Sequence, residues 1–278
     1  MKILHRISLN SKKDERFFGL IKKIGIKFKS IDMPGGKSQF VYFDITESDP
    51  NWTEVSQLVH TYDVLDGYDT YFTTSEILNA EWARLISTYA EGYPQPFDTW
   101  VTNPINYKNN CRECGTFQQD NSFQIKREPS LKGKDFMTLN WAVSAFFCTP
   151  RVLREFEAHQ IKGYEGWNVI ISKSRLPSQR ISQLFVSNET SSGLLDGGDL
   201  APVRCPKCHI TRYSHHQRGM MQYKRDALNP EELDIVRSFE WFGSGRDAYQ
   251  EVFVSNRVVK IIIDNRWKGV RFKVVKLI

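Results

Sequence analysis

The sequence predicts an α+β fold, in which an N-terminal ferredoxin-like unit precedes a duplicated strand-helix-strand region joined by one four-cysteine zinc site. Strand and helix patterns alternate over residues 1–90 in the order of a split βαβ unit. Residues 91–278 contain two similar segments, and a Cys-x-x-Cys pair precedes each of them. We therefore expect a domain at 1–90 and a zinc-binding domain at 91–278, with modules at about 100–175 and 195–278.

Six elements of the first 72 residues can be predicted from apolar spacing and from turn residues. They are a strand at 3–9, a helix at 17–24, strands at 26–31 and 40–45, a helix that Asp49 caps, and a strand near 64–72. Gly25 ends the first helix, and a Pro-Gly turn at 34–35 separates the second and third strands. The order of elements is that of a ferredoxin-like unit.

A further helix is expected to link the two domains. Residues 73–76 read Thr-Thr-Ser-Glu, a capping box that is typical of a helix N-terminus. An apolar stripe at helical spacing follows, formed by Leu78, Trp82, Leu85 and Ile86.

The second half of the chain resembles itself at an offset of 106 residues. Residues 147–152 (Phe-Cys-Thr-Pro-Arg-Val) align with 253–258 (Phe-Val-Ser-Asn-Arg-Val), and Lys162-Gly163 aligns with Lys268-Gly269. Each copy reads as a strand, a Ser or Thr that can cap, an amphipathic helix, Lys-Gly and a closing strand. The pattern predicts an internal duplication, with chance similarity of two strand-helix-strand units as the alternative.

Four of the five cysteines form two Cys-x-x-Cys pairs, which predict a metal site. The proposed ligands are Cys111, Cys114, Cys205 and Cys208. Structural zinc takes four thiolates in a tetrahedron, and each pair supplies two from one tight turn. A redox or catalytic metal site and a degenerate site with free thiols are the alternatives. Gly115 follows the first pair, whereas His209 follows the second, so the pattern is imperfect and nearby histidines are possible substitute ligands: His209, His215 and His216. Cys148 stands in an aromatic run and is expected in the core.

Composition and motifs favour a binding protein over an enzyme. The net charge is +6 over 278 residues, and no apolar run approaches the roughly 20 residues that span a bilayer. The N-terminus has no apolar signal core, which predicts a cytoplasmic protein without a membrane partner. No hydrolase or nucleotide-binding motif is present; residues 243–246 (Gly-Ser-Gly-Arg) lack the Lys-Ser/Thr ending of a phosphate loop. Nucleic-acid binding remains an alternative, because zinc ribbons with basic surfaces often bind DNA or RNA.

The cysteine pairs, the Ser or Thr before Arg-Val, and the final Lys-Gly-Val-x-Phe together resemble the double-CxxCG motif family of bacteria. The resemblance covers roughly residues 100–278, and the terminal pattern also resembles immunity proteins of polymorphic toxin systems. It implies that Cys111, Cys114, Cys205 and Cys208 are the defining positions, although His209 stands where the family usually has glycine. It further implies a cytoplasmic zinc-containing immunity protein that neutralises a cognate protein toxin by direct contact. A zinc-ribbon nucleic-acid-binding protein is the alternative function.

Overall fold

The computed structural model describes residues 1–100, 104–228 and 232–278, with the side chain of Asp199 outside that description. The fold is mixed α+β and consists mostly of β-sheet. The chain divides into two compact units, Met1–Thr73 with Gln217–Gly219, and Thr74–His216 with Met220–Ile278. The described residues include no helix that is long and apolar enough to cross a membrane.

The first unit contains four strands and two helices. In chain order they are β1 (Lys2–Asn10), α1 (Glu15–Ile24), β2 (Lys29–Asp32), β3 (Gln39–Thr46), α2 (Trp52–Tyr62) and β4 (Leu65–Tyr71). The strands form one sheet in the order β2-β3-β1-β4, and all neighbouring strands are antiparallel.

Alternation in the strands and helical spacing in α1 and α2 place one apolar face of each element in the core of the first unit. Its buried residues are Ile7, Leu9, Phe17, Phe18, Ile21, Val41, Phe43, Ile45, Val55, Val59 and Val64. Gly25 ends α1 in the left-handed conformation, as predicted. Helix α2 begins at Trp52, later than expected, because the Asp49 carboxylate accepts a hydrogen bond from the Asn51 N–H within a preceding turn.

The second unit contains fourteen strands and four helices among its described residues. In chain order they are α3 (Thr74–Asn79), β5 (Trp82–Ser87), α4 (Phe97–Trp100), β6 (Tyr107–Lys108), β7 (Gln118–Gln119), β8 (Gln124–Ile125), β9 (Phe136–Leu139), β10 (Ala142–Cys148), α5 (Pro150–Ala158), β11 (Glu165–Ile171), β12 (Pro177–Phe185), β13 (Val203–Arg204), β14 (Thr211–Tyr213), β15 (Met221–Tyr223), β16 (Ile235–Phe242), β17 (Tyr249–Ser255), α6 (Asn256–Asp264) and β18 (Val270–Leu277). Short 3-10 turns occur at Leu131–Gly133, Gly197–Leu200 and Arg225–Ala227.

These strands form three sheets. A five-stranded sheet has the order β8-β11-β12-β10-β9, and a seven-stranded sheet has the order β13-β14-β16-β17-β5-β18-β15. Strands β6 and β7 form a separate hairpin. Helices α5 and α6 each follow a sheet strand directly and bury one face. The main core therefore contains side chains from both predicted modules, 100–175 and 195–278, which are called here the halves of the second unit.

The predicted linking helix is wrong beyond Asn79. Helix α3 ends there, and β5 pairs with β17 on one side and β18 on the other. The apolar residues at 82–86 fit helical spacing, yet Trp82, Ala83, Arg84 and Leu85 are all buried because both faces of a central strand are covered. The division between the compact units falls after Thr73, and residue 90, where the sequence predicts a domain boundary, lies within the second unit.

Two matching turns connect the halves of the second unit. The Lys162 N–H donates to the Asp234 carboxylate at 3.0 Å, and the Lys162 carbonyl accepts the Asp234 N–H at 3.0 Å. The Lys268 N–H donates in the same way to the Asp135 carboxylate at 2.9 Å, and the Lys268 carbonyl accepts the Asp135 N–H at 2.8 Å. Each half thus supplies one Lys-Gly turn and one aspartate to the other.

Candidate metal centre

The first cysteine pair occupies the tip of the β6–β7 hairpin. Tyr107 pairs with Gln119 at the base, and the chain between the strands makes a tight loop. The Gly115 N–H donates to the Cys111 carbonyl at 2.7 Å, and the Cys111 N–H donates to a carbonyl beyond the loop at 2.9 Å. This loop directs both thiol groups toward one point, as a metal-binding knuckle does.

The second cysteine pair occupies an equivalent hairpin between β13 and β14. Val203 pairs with Arg212 at its base. The His209 N–H donates to the Cys205 carbonyl at 3.0 Å, and the Cys205 N–H donates to the Ile210 carbonyl at 2.9 Å. The two knuckles therefore share one backbone hydrogen-bond pattern although 94 residues separate their first cysteines.

The four cysteines that the sequence paired lie in one cluster. All four sulfur atoms are within 4.8 Å of one another. The Cys111–Cys205 sulfurs are 3.8 Å apart and the Cys114–Cys208 sulfurs 3.4 Å apart. A metal–sulfur bond of about 2.3 Å in a tetrahedron gives sulfur–sulfur edges of about 3.8 Å. The separations are close to those edges, and all four cysteines are free thiols.

The cluster is largely shielded from solvent. Cys111, Cys114 and Cys205 are buried, and Cys208 is partly exposed. The buried Thr116 hydroxyl lies 3.3 Å from the Cys114 sulfur and 3.6 Å from the Cys208 sulfur. A hydroxyl at these distances can donate to a thiolate and stabilise its charge.

The thiols of the cluster have unequal pKa values. The backbone N–H of Cys208 lowers the pKa of Cys205. Burial raises the pKa of Cys208, but hydrogen bonds from the Ile210 N–H and the Thr116 hydroxyl outweigh it and lower the pKa to about 6. Burial raises the pKa of Cys114 to about 12. A metal ion that binds all four sulfurs would therefore displace at least the Cys114 proton at neutral pH.

Arg212 supports the first knuckle, a role that its sequence context does not predict. Its guanidinium donates to the Cys114 carbonyl at 2.9 Å and to the Gly245 carbonyl at 2.9 Å. The glycine-rich segment around Gly245 thus lies beside the cysteine cluster. Only the position of Arg212 four residues after Cys208 connects it to the motif in the sequence.

The three histidines predicted as possible substitute ligands lie outside the cysteine cluster. His215 contacts the Tyr249 hydroxyl at 2.8 Å, and His216 pairs with the Asp196 carboxylate at 2.9 Å. His209 is exposed and contributes only its backbone to the knuckle. Cys148 is buried in the main core, and burial raises the pKa of its thiol.

The arrangement provides four sulfur ligands and could hold one metal ion. Within the described ranges these cysteines are the only cluster of three or more metal-ligating side chains. Four protein ligands complete a tetrahedron and leave no coordination position for a substrate.

Comparisons of the chain with protein-family models, with curated proteins and with solved structures find no match.

Proposed function

We propose that Cys111, Cys114, Cys205 and Cys208 bind one structural zinc ion. Zinc and iron both accept four thiolates in a tetrahedron, and the closed, shielded cluster fits a structural role. Because each knuckle belongs to a different half of the second unit, the ion would cross-link the two halves. A zinc–thiolate site also suits the reducing cytoplasm in which we place the protein.

Metal analysis of protein purified in reductant without added metal tests this assignment. We expect one zinc per chain in the wild type and in Cys148→Ala, which removes a buried thiol outside the cluster. Cys111→Ser with Cys205→Ser should lose the ion. Bound iron, or no metal in the wild type, would contradict the proposal.

We also propose that the first unit is ferredoxin-like and that the second unit arose by duplication. The sheet order β2-β3-β1-β4 with two crossover helices supports the first assignment. The paired knuckles and the reciprocal Lys-Gly turns support the second, because each half presents the same backbone contacts to the other.

We further propose that the protein acts by direct contact with another macromolecule, and that its partner is a cognate bacterial toxin. The observation that carries the binding role is the closed four-sulfur cluster, which has no open coordination position for metal catalysis. The resemblance of the knuckles and of the C-terminal pattern to immunity-linked families supports a toxin as the partner.

Co-expression with a toxin gene adjacent to the gene for this protein tests the toxin proposal. Wild type and Cys148→Ala should restore growth of the host, and the purified pair should form a complex in calorimetry. Cys111→Ser with Cys205→Ser should protect less, because the halves of the second unit lose their cross-link. Survival of the host without a detectable complex would contradict protection by direct contact.

Zinc-ribbon nucleic-acid binding is the second candidate function. Arg112 and Lys207 lie on the exposed tips of the two knuckles, where a ribbon could contact phosphates. Several other arginines are instead paired with carboxylates, such as Arg225 with Glu81, which limits the positive field. Binding of duplex DNA or RNA that Arg112→Ala with Lys207→Ala removes would favour this function over toxin contact.

A further inference from the structure

Strand β2 is an unpaired edge of the sheet in the first unit. It pairs with β3 on one side only, and all four residues of Lys29–Asp32 are exposed. The Met33 N–H donates across the β2–β3 hairpin at 3.0 Å. Backbone groups of alternate residues face opposite ways along an antiparallel strand, so those of Ser30 and Asp32 point away from β3. These donors and acceptors are free to pair with a further strand.

Four large apolar side chains lie on or beside this edge. Phe28, Ile31, Met33 and Phe40 are 38%, 59%, 39% and 38% exposed. Ile31 lies opposite Phe40 on the face of the sheet that is turned away from the core, since the neighbouring Val41 is buried on the other face. Edges that are protected against pairing usually carry charges or proline in place of such side chains. The apolar residues therefore indicate a surface that packs against a partner.

The segment that contains β2 is strongly basic. Residues 11–40 include eight Lys or Arg and three Asp or Glu, a net charge of +5. All eight cations are exposed: Lys12, Lys13, Arg16, Lys22, Lys23, Lys27, Lys29 and Lys37. Among the residues that the structure describes, none of these cations forms a salt bridge with a carboxylate. The segment consequently attracts acidic groups.

The opposing charge of the first unit lies outside this segment. Residues 1–10 and 41–73 include two Lys or Arg and seven Asp or Glu. Arg6 and Asp44 pair with each other at 2.7 Å, so together they add no net charge to the outer face of the sheet. Lys29 is close enough to help lower the pKa of Asp44, and the three groups together remain positive.

The edge and its charge select one kind of occupant. Outward backbone groups pair with the backbone of another strand, which neither a nucleic acid nor a lipid offers. A second copy that paired through its own β2 would bring the same positive charge to the contact and be repelled. An acidic strand of another protein satisfies both the backbone groups and the charge.

We propose that β2 binds an extended acidic segment of a protein partner as a fifth strand of the sheet. The segment would pair with the backbone of Ser30 and Asp32, cover Ile31 with an apolar side chain, and place carboxylates beside Lys27 and Lys29. This inference rests on the proposed direct contact with a protein partner, and it names the surface and the chemistry of that contact.

Anisotropy of a labelled peptide of about eight residues, an ordinary strand length, tests the proposal. In this peptide Glu and Ile alternate along one face and Thr occupies the other. The full-length protein should bind it, and should not bind the same peptide with Lys in place of Glu. N-methylation of every second residue should abolish binding for only one of the two alternate sets, because only one edge of the peptide can face β2.

Variants of the edge locate the site. Lys27→Glu with Lys29→Glu should weaken the affinity for the peptide by about tenfold or more, because like charges then meet. Lys173→Glu with Lys260→Glu is the control, since both lysines are exposed in the second unit, and it should leave the affinity unchanged. Ser30→Pro should also remove binding, because proline deletes an outward N–H without deleting a bond to β3.

Calorimetry with the toxin separates this inference from the proposed function. A toxin complex that Lys27→Glu with Lys29→Glu weakens supports both. A toxin complex that this variant leaves unchanged would retain the function and overturn the inference. Binding of the peptide as described, without any toxin complex, would retain the acidic-strand surface and remove the toxin as its partner.

Three further results would overturn the inference. The first is no binding of the peptide, and the second is peptide binding that neither set of N-methyl groups changes. The third is binding of oligouridine or of phosphatidylserine vesicles to the edge without binding of the peptide, which would assign the basic segment to a nucleic acid or a membrane surface.

Discussion

His209 adopts in the second knuckle the left-handed backbone conformation that Gly115 adopts in the first. Their φ angles are 61° and 79°, and each N–H donates to the carbonyl of the first cysteine of its knuckle. The surroundings of the two residues differ. A Cβ at Gly115 would lie 2.1 Å from the Arg246 carbonyl oxygen, whereas the His209 side chain is exposed. Packing therefore requires glycine at position 115. At position 209 the backbone conformation favours glycine, but the surroundings leave room for a side chain.

Gly115→Ala should destabilise the second unit by about 3 kcal/mol or more and weaken metal binding, because the knuckle or the segment around Arg246 must shift. Chemical unfolding and chelator competition measure the two effects. Gly133→Ala is the control, since it also has positive φ but a Cβ there meets nothing within 4 Å. An equal loss in both variants would show that backbone conformation alone determines the cost.

His209→Gly should raise the free energy of unfolding by about 1 kcal/mol or less. The left-handed conformation costs a histidine about 1 kcal/mol that glycine avoids, and the greater freedom of glycine in the unfolded chain offsets part of the gain. Chemical unfolding in the presence of zinc measures the change. A marked loss of stability or of bound metal would show that the His209 side chain has a role beyond its backbone.

Gly163→Ala and Gly269→Ala should destabilise the second unit to a similar degree, by about 3 kcal/mol or more each. A Cβ at either position would lie 1.9 Å from a backbone oxygen of the opposite half, that of Ile235 or that of Phe136. Thermal and chemical unfolding of the two variants measure the effect. A large loss for only one of them would argue against equivalent turns and weaken the proposed duplication.

The buried Arg84–Glu251 ion pair should be strongly coupled. The guanidinium and carboxylate lie 2.7 Å apart, 1% and 6% exposed, on the adjacent strands β5 and β17. Arg84→Met should cost about 3–5 kcal/mol, because Glu251 is then a buried charge without its partner. Adding Glu251→Leu should recover much of that loss in a double-mutant cycle. Additive losses would indicate that the bond from Arg84 to the His216 carbonyl is the more important contact.

Glu91 should contribute stability that is lost in acid. Burial opposes its ionisation, but the N–H groups of Ser130 and Leu131 and the Tyr89 hydroxyl outweigh burial and lower the pKa of Glu91 from 4.5 to about 2. Because the pKa is lower in the folded state, the contribution is present above about pH 5 and disappears as the pH falls toward 2. After allowance for solvent screening it amounts to about 2 kcal/mol near neutral pH.

Unfolding of Glu91→Gln and wild type across this pH range measures that contribution. The difference in stability should shrink toward zero in acid, and any protonation of the cysteine cluster affects both proteins equally. A difference that is constant with pH would show that the hydrogen bonds stabilise the loop without depending on the carboxylate charge.

The spacing of apolar residues predicted several helices and strands. It failed where an element is buried on both faces, because apolar residues then occupy both sides of that element. The alternation in β1 and the glycine at the end of α1 could be interpreted directly, because one face of each element is exposed. The run from Trp82 to Ser87 could not, since a central strand is apolar on both faces and its residues also fit a helix.

The sequence by itself determined that two cysteine pairs, each in a tight-turn pattern, are available for one metal, because the chemistry of a knuckle is contained within a few neighbouring residues. The tertiary structure alone decided that Arg212 braces the first knuckle, that β5 lies between β17 and β18, and that Trp141 stands beside Tyr93 and Phe97. These contacts join positions far apart in the chain. Periodicity in the sequence indicates which side of an element is apolar. Packing across the whole unit decides which other element covers that side, or whether it stays exposed.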